Sequence, residues 1–367
     1  MKRAANVCLI GNMLGDNTGH SPAQSQLLAR LLASEGHQVT CASGKLNRLA
    51  RAADIASVLI AGRRNFDSVL LDVYSGAYFC VADMAVRLCK LFGIPLIAVL
   101  RGGQLPEFAR RFPRRSRRVL ARTDALVAPS HFLAGEFGEL GYDVKVIPNV
   151  VDLALYPFRE RSKVRPRLIW MRSFHPIYNP EMAIRVLAKL RKTEPSATLT
   201  MAGSDKGLES EVKTAASRAG VENAVRFVGF LGPGSKLGEM SEADIYINTN
   251  RADNMPVTVV EARAMGLAVV ATDVGGLPFV IEDGVNGYLV ASDDADAMVR
   301  KIKILLDHPD VAARFSRNGR AIAERSGWAA VKPLWEELIH KVGDAKRSDA
   351  KRSRRALAAV NSDSMKN

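Results

Sequence analysis

Strand-like apolar runs and helix-like amphipathic runs alternate along this 367-residue chain, and that alternation restricts the fold more than any other feature. A strand followed by a helix and then another strand rejoins its sheet in parallel, because an antiparallel return needs only a short turn. In the first half the strand-like runs are Val7–Ile10, Val39–Cys41, Ser68–Leu71, Pro95–Val99, Ala125–Ala128 and Val144–Ile147. Helical patterns lie between them at Pro22–Glu35, Ala77–Phe92, Pro113–Ala121 and His131–Leu140. A second series of strands begins at Arg167–Met171 and continues through Thr198–Met201, Val225–Val228, Ile245–Ile247, Ala268–Ala271 and Gly287–Val290. Its helices include Pro180–Lys192, Leu208–Ala219, Val257–Met265 and Asp294–Leu306. The chain is too long for one ordinary core, and a polar stretch, Arg159–Pro166, separates the two series. The expectation is an α/β fold: two Rossmann-like domains facing each other across a cleft, with ligands beyond the carboxyl ends of the strands.

Charge is unevenly placed. Of the net +14, Ala345–Asn367 contributes +5 and Arg101–Arg122 contributes +7, leaving +2 for the remainder. This describes a near-neutral body with two basic appendages. The terminal stretch 344–367 lacks core residues and reads as a disordered tail. Without aromatic residues interleaved among the charges, neither the tail nor the basic helix Pro113–Ala121 resembles a nucleic-acid surface. No apolar run is long enough to span a bilayer, and the short run at Val7–Ile10 is interrupted by Gly11-Asn12, unlike a signal peptide. Cys8, Cys41, Cys80 and Cys89 show no metal-ligand spacing and lie in apolar surroundings, as core thiols of a reducing compartment do. The expected location is the cytoplasm.

The segment Asn250–Gly276, NRADNMPVTVVEARAMGLAVVATDVGG, carries the most chemistry. Pro256 stands where a helix would begin, since its fixed φ suits a first turn and its missing N–H is not needed there. From Val257, the positions Val257, Val260, Ala264 and Met265 fall on one helical face. The loop at Asn254-Met255 then brings backbone N–H groups to a helix N-terminus, which suits a diphosphate. Glu261 lies one turn into the helix, where a carboxylate can accept hydrogen bonds from a ribose. Any two acids are more often solvated. Here, however, Asp253 and Glu261, seven residues between them, are followed by a small-residue turn, a buried strand and Gly275-Gly276.

Pattern and order resemble the E-x7-E donor site of the retaining GT-B glycosyltransferases of the group 1 type, also called family 4, with Asp253 at the first acid. The resemblance covers nearly the whole chain in element order, and its specific motifs lie between Arg172 and Gly276. Ile147-Pro148-Asn149-Val150-Val151-Asp152 resembles the family's interdomain I-P-N-G-V-D, with Val150 in place of Gly. Trp328–Val342 resembles the C-terminal helix that crosses back to the first domain. The implied divisions are 1–157, an acceptor-side domain; 158–326, the donor domain; 327–343, the crossover helix; and 344–367, the tail.

The resemblance implies transfer of a sugar from a nucleoside-diphosphate donor with retention, and assigns roles residue by residue. Arg172, after the strand Arg167–Met171, occupies the place of the G-R motif that contacts the diphosphate, and Asp253 would orient sugar hydroxyls or support positive charge at the anomeric carbon. Glu261 would hold the ribose, with Asn254, Met255, Pro256 and Val257 around the phosphates. Gly229 and Phe230, in Val228-Gly229-Phe230-Leu231, would read the base, although Phe230 is as easily a core residue. The family's Lys after the G-R motif is absent; Lys206 or Lys236 could substitute from other loops. With no nucleophile–base pair, D-x-D motif or His cluster, neither a metal nor a cofactor beyond the donor substrate is expected.

On the acceptor side, the glycine-bearing loop after Val7–Ile10 offers Gly15, Gly19 and His20, the last equally a solvated histidine. Where many members have a His after the fourth strand this chain has Arg101, followed by Gly102-Gly103, which suggests an anionic group on the acceptor or donor. Ser130 follows the fifth strand. Arg114, Arg115, Arg117 and Arg118 lie on a short basic helix that is either a solvated face or a patch for anionic lipid or a lipid-linked acceptor. The acceptor class implied is a polysaccharide or lipid-linked glycan precursor, with the enzyme peripheral on the cytoplasmic face of a membrane. A sugar-nucleotide epimerase of the same fold and an inactive sugar-nucleotide-binding protein are the competing readings.

Overall fold

A computed structural model describes residues 3–13, 24–45 and 47–364. The chain divides into two compact units. One comprises Met1–Pro129, Ala134–Ile147 and Lys332–Asn367; the other comprises Ser130–Leu133 and Pro148–Val331.

The first unit runs β1 (Asn6–Ile10), α1 (Gln24–Ser34), β2 (Gln38–Ala42), α2 (Arg48–Gly62), β3 (Ser68–Val73), α3 (Tyr78–Phe92), β4 (Leu96–Leu100), α4 (Leu105–Arg111), α5 (Pro113–Leu120), β5 (Ala125–Ala128), α6 (His131–Gly138) and β6 (Lys145–Val146). Its six strands are all parallel, in the order β2-β1-β3-β4-β5-β6. The apolar runs of β3 and β4 are buried as central strands require, whereas β2 at the edge is half exposed. The chain reverses its direction of sheet growth between β1 and β3, so their carboxyl ends, Ile10 and Val73, flank a switch point. Two helices fall outside those anticipated. The side chain of Asn47 caps α2 by accepting from the N–H groups of Leu49 and Ala50, and α4 occupies what reads in sequence as loop.

The second unit runs β7 (Arg167–Met171), α7 (Pro180–Leu190), β8 (Thr198–Ala202), α8 (Glu209–Arg218), β9 (Val225–Gly229), α9 (Pro233–Glu242), β10 (Ile245–Asn248), α10 (Val257–Ala264), β11 (Ala268–Thr272), β12 (Tyr288–Val290), α11 (Ala295–Asp307), α12 (Pro309–Glu324) and the start of α13 (Trp328–Ser364). This sheet is also wholly parallel, in the order β12-β11-β10-β7-β8-β9, with its switch point between β7 and β10. Alternation along β7 sends Leu168 and Trp170 into the core shared with α7 and α11, and Ile169 and Met171 into the core shared with α10. The helices α9 and α12 are additional to those expected from sequence.

Four expectations are corrected. Pro256 is the N-cap of α10 rather than its first residue, with φ −69° and ψ 114°. The helix α10 is not one-sided: Glu261 and Arg263 are as buried as its apolar residues, because α12 covers the face that would otherwise meet solvent. Cys41 and Cys80 are exposed, one on the edge strand and one on the outer face of α3; only Cys8 and Cys89 are core thiols. The terminal stretch is not without structure, for α13 continues through Ser364. No Gly or Pro follows Gly343, and Ala, Lys and Arg sustain a helix. From Lys332 onward α13 belongs to the first unit, where Lys145 Nζ meets Glu337 Oε1 at 3.1 Å and Arg347 Nη2 meets Asp67 Oδ1 at 2.5 Å. Among the described residues no helix is long and apolar enough to cross a membrane.

Candidate active site

The two strands flanking the switch point of the second sheet each deliver a charged residue. Arg172 follows β7, and Asp253 lies in the loop after β10. Arg172 Nη2 donates to Asp253 Oδ2, and the guanidinium carbon sits 4.3 Å from the ring centre of Tyr178. Burial opposes the charge on Arg172, but Asp253 and the nearby tyrosines outweigh it and raise its pKa above the ordinary arginine value. Behind it, Gly203 at the end of β8 packs on the strand: a Cβ there would fall 1.9 Å from the carbonyl oxygen of Arg172. The loop bearing Gly203, which reads as generic in sequence, thus has a positional task.

Asp253 is held from several sides. Asn250 Nδ2 donates to Oδ2 at 2.5 Å, and the Asn254 N–H donates to Oδ1 at 2.8 Å. The backbone of the loop is gripped by Gly275-Gly276. The Gly276 N–H donates to the carbonyl of Asp253 at 3.0 Å. A Cβ on Gly276 would lie 1.6 Å from the carbonyl oxygen of Asn254, and Gly275 adopts φ +54° beside Asp253. Only glycine permits this approach, which is the physical content of the Gly-Gly pair. Arg251 N donates to Ile177 O at 2.8 Å, and Thr249 Oγ1 donates to the carbonyl of Tyr178 at 2.8 Å, so the Asp253 loop and the Tyr178 turn form one support.

Glu261, on α10, is 7% exposed. Its Oε1 accepts from the Tyr156 hydroxyl at 2.7 Å and from Lys236 Nζ, on α9, at 2.5 Å. Its Oε2 is buried and has no hydrogen-bond partner among the described residues. Burial, followed by the charge of Glu261, pushes the Tyr156 phenol up, so it remains a donor. Tyr246 of β10 donates to Thr258 Oγ1 at 2.7 Å. Burial pushes its phenol up to about 12; Arg172 lowers it while Asp253 and Glu261 raise it, so all three charges act on one buried ring.

The remaining expected donor residues take these positions. Asn254 and Pro256 are buried, while Met255 and Val257 are half buried beside them. Gly229 ends β9 at φ +66°, and Phe230 is 37% exposed, not a core residue. Lys236, one of the two suggested substitutes for the missing lysine, reaches Glu261; Lys206 has an exposed side chain, and its N–H bonds to the carbonyl of Phe174. Tyr156, Tyr178, Asn250 and Tyr246 join this cluster and were not named by the motif reading. The readable signal for Lys236 was Gly232-Pro233 followed by Leu237 and Met240 at helical spacing, which announces α9.

On the first unit, the anion expected beside Arg101 is supplied by the protein: Arg101 Nε donates to Asp72 Oδ1 at 2.9 Å, both side chains nearly buried. The two residues come from β3 and the end of β4, adjacent strands, so the ion pair follows from sheet register. Gly102 adopts φ +81° and Gly103 is exposed. Gly15, Gly19 and His20 lie outside the described residues. Ser130, in the segment grouped with the second unit, hydrogen-bonds through Oγ with Asn254 Oδ1 and accepts from Leu133 N at 3.2 Å. Of the four arginines of α5, Arg114, Arg117 and Arg118 are exposed, whereas Arg115 turns inward onto Phe79 and Cys80.

Comparison with known proteins agrees with this architecture. The family description "Glycosyl transferases group 1" matches residues 157–322, and "Glycosyltransferase Family 4" matches residues 25–155. A glycogen synthase of Mycobacterium tuberculosis is 26% identical over 267 residues, 68% of this chain and 63% of the relative. The chain therefore spans less than two thirds of that enzyme's length. A D-inositol 3-phosphate glycosyltransferase of Arthrobacter sp. is 26% identical over 304 residues, 74% of this chain and 71% of the relative. Among solved structures, Anabaena HepE in complex with UDP and glucose shares the fold at a TM-score of 0.72 and 19% identity, covering 91% of this chain and 99% of HepE. With both halves matched and the acid pair, Arg172 and the glycine pair assembled at the switch point, the chain belongs to the group 1 glycosyltransferases of the GT-B fold.

Proposed function

We propose that this protein transfers a sugar from a nucleoside-diphosphate sugar to an acceptor hydroxyl, with retention at the anomeric carbon. The observation that carries the reading is the convergence of Arg172, Asp253 and the free oxygen of Glu261 around one switch point. In the reaction the bond from the anomeric carbon to the β-phosphate oxygen breaks, and its electron pair leaves with the diphosphate. The acceptor oxygen forms the new bond to that carbon, and its proton passes to the departing phosphate oxygen. Arg172 stabilises charge that grows on the leaving group, an effect worth the most where the cation is already held in place and partly shielded from water. Asp253, steadied by Asn250, holds that cation. Glu261 accepts from the ribose.

HepE is described with UDP-glucose, and the relatives include a glycogen synthase and an inositol-phosphate glycosyltransferase, which makes UDP-hexoses the first donors to test. For the acceptor, the exposed Arg114, Arg117 and Arg118 fall at i, i+3 and i+4 on α5, beside the exposed ring of Phe112. A cationic helix face with an aromatic at its edge fits an anionic lipid surface, so we assign a lipid-linked glycan precursor as the acceptor class and a peripheral membrane location.

The test is to measure thermal stabilisation by a panel of nucleoside diphosphates and their sugars, for the wild type and Glu261→Ala, and then to assign the anomeric configuration of the first product by NMR. Stabilisation by one donor that disappears in the variant is the expected result. No stabilisation by any of them would overturn the donor site, and an inverted product would overturn retention.

A further inference from the structure

The two oxygens of Glu261 are treated unequally. Oε1 receives both the Tyr156 hydroxyl and the Lys236 ammonium, while Oε2, equally buried, receives nothing from the described residues. A carboxylate needed only to pair with Lys236 would share its donors, since leaving a buried acceptor bare is costly. Tyr156 and Lys236 also brace one another, for the ammonium lies 5.6 Å from the centre of the Tyr156 ring. The two donors and their acceptor come from three separate places: the segment before β7, α9, and α10, which carries the carboxylate itself. Such a clamp fixes the rotation of the carboxylate and presents the unused oxygen in a single direction.

We infer that Tyr156 and Lys236 are positioning residues that aim Glu261 Oε2 at the vicinal hydroxyls of the nucleotide ribose, and so set the selectivity of the site for ribo- over 2′-deoxyribonucleotides. This rests on the reading of Glu261 as the ribose acceptor. One oxygen with two lone pairs can accept from both hydroxyls of a vicinal diol only if it is held between them. Loss of the 2′-hydroxyl then removes one charge-assisted hydrogen bond. Without either clamp residue the carboxylate turns, the remaining donor engages either oxygen, and the aim is lost.

The experiment measures dissociation constants for UDP, ADP and GDP and for their 2′-deoxy counterparts, with the wild type, Tyr156→Phe, Lys236→Met and Lys236→Arg. The wild type should prefer the ribonucleotide by roughly ten-fold or more, the worth of a hydrogen bond to a charged group. Tyr156→Phe and Lys236→Met should each bring that ratio toward unity, and Lys236→Arg should restore most of it. The ratio is internal to each variant, so a change in folded fraction cancels. A structural role for the pair would weaken ribo- and deoxyribonucleotides equally; a ratio unmoved in both variants overturns the inference and leaves the donor site standing. A wild type that binds none of the six, or binds without ribose preference, overturns the donor reading and the inference with it.

Discussion

Arg172 at the end of β7 and Asp253 in the loop after β10 are joined as a guanidinium–carboxylate pair across 81 residues of sequence. Asp253 stands where the resemblance has Glu, and the shorter acid still meets Arg172. The shorter side chain reaches the arginine because Gly275 and Gly276 let the loop backbone come close, and Asn250 steadies the same carboxylate oxygen. Arg172→Met should lower kcat/KM for sugar transfer by roughly a hundred- to a thousand-fold, the usual cost of losing a preorganised charge-stabilising donor. Asp253→Asn should cost less, because Arg172 keeps its Tyr178 platform. Steady-state kinetics of both variants check the order; equal activity of Arg172→Met and wild type would contradict the assigned role.

Gly276→Ala should disable the donor loop while sparing the two sheets. Its Cβ would need the Asn254 carbonyl, 1.6 Å away, to move. The expected stability loss is about 1–3 kcal/mol, as for other forced overpacking. Nucleotide affinity measured calorimetrically should fall by more than the melting temperature implies, since the displaced loop is the proposed diphosphate site.

Asp244 should control acid stability. It is 2% exposed on its side chain and meets Arg159, Arg161 and Arg165. Burial favours its neutral form, but hydrogen bonds and charge from Arg165, with the charge of Arg159, hold its carboxyl below the ordinary 3.8. A depressed carboxylate contributes stability above its unfolded pKa and loses it as pH falls through the folded value. The melting temperature of the wild type should therefore drop more steeply than that of Asp244→Asn below about pH 4. At neutral pH the variant should lose about 3 kcal/mol, because the buried Arg161 keeps its charge without its counter-ion. Urea denaturation at several pH values would reveal both effects.

Arg263 is a buried cation that, among the described residues, bonds to no carboxylate. It donates to the carbonyls of Val280 and Asn286 and to Asn286 Oδ1, and burial lowers its pKa to about 9. The glycine of α12, Gly319, makes room for its stem. Arg263→Met should cost only about 1–2 kcal/mol, since an apolar chain of similar length removes a desolvated charge while leaving three acceptors short. Arg263→Ala should cost about 3 kcal/mol or more through the cavity. Chemical denaturation ranks the two; equal losses would mean that the lost charge and hydrogen bonds, not packing, decide this position.

Replacing Arg114, Arg117 and Arg118 together with Gln should reduce sedimentation with phosphatidylserine-containing vesicles and make the residue less salt-sensitive, with nucleotide affinity unchanged. Arg115 is left alone because it packs on Phe79 inside the first unit. Persistent vesicle binding in the triple variant would remove α5 from the proposed lipid surface.

By itself the sequence determined the two parallel sheets and the close spacing of the two acids and the glycine pair, because both are short-range patterns. Strand runs such as Arg167–Met171 and Ala268–Ala271 are continuous apolar segments bounded by helical periodicity, and Asp253, Glu261 and Gly275-Gly276 lie within 24 residues of one another. It misplaced what depends on covering surfaces: the two-sided burial of α10 comes from α12, and the helical course of 344–364 continues α13. It also could not say which charges meet. That Arg101 faces Asp72 follows from the register of β4 on β3, and that Arg172 faces Asp253 follows from the adjacency of β7 and β10 at the switch point. Tyr156 and Lys236 come to Glu261 from 105 and 25 residues away; the helix signal around Lys236 announces α9 but not its partner, and no local pattern marks Tyr156. Only the tertiary structure decided those partners, because a buried carboxylate takes the donors that packing brings within about 3 Å, whatever their distance along the chain.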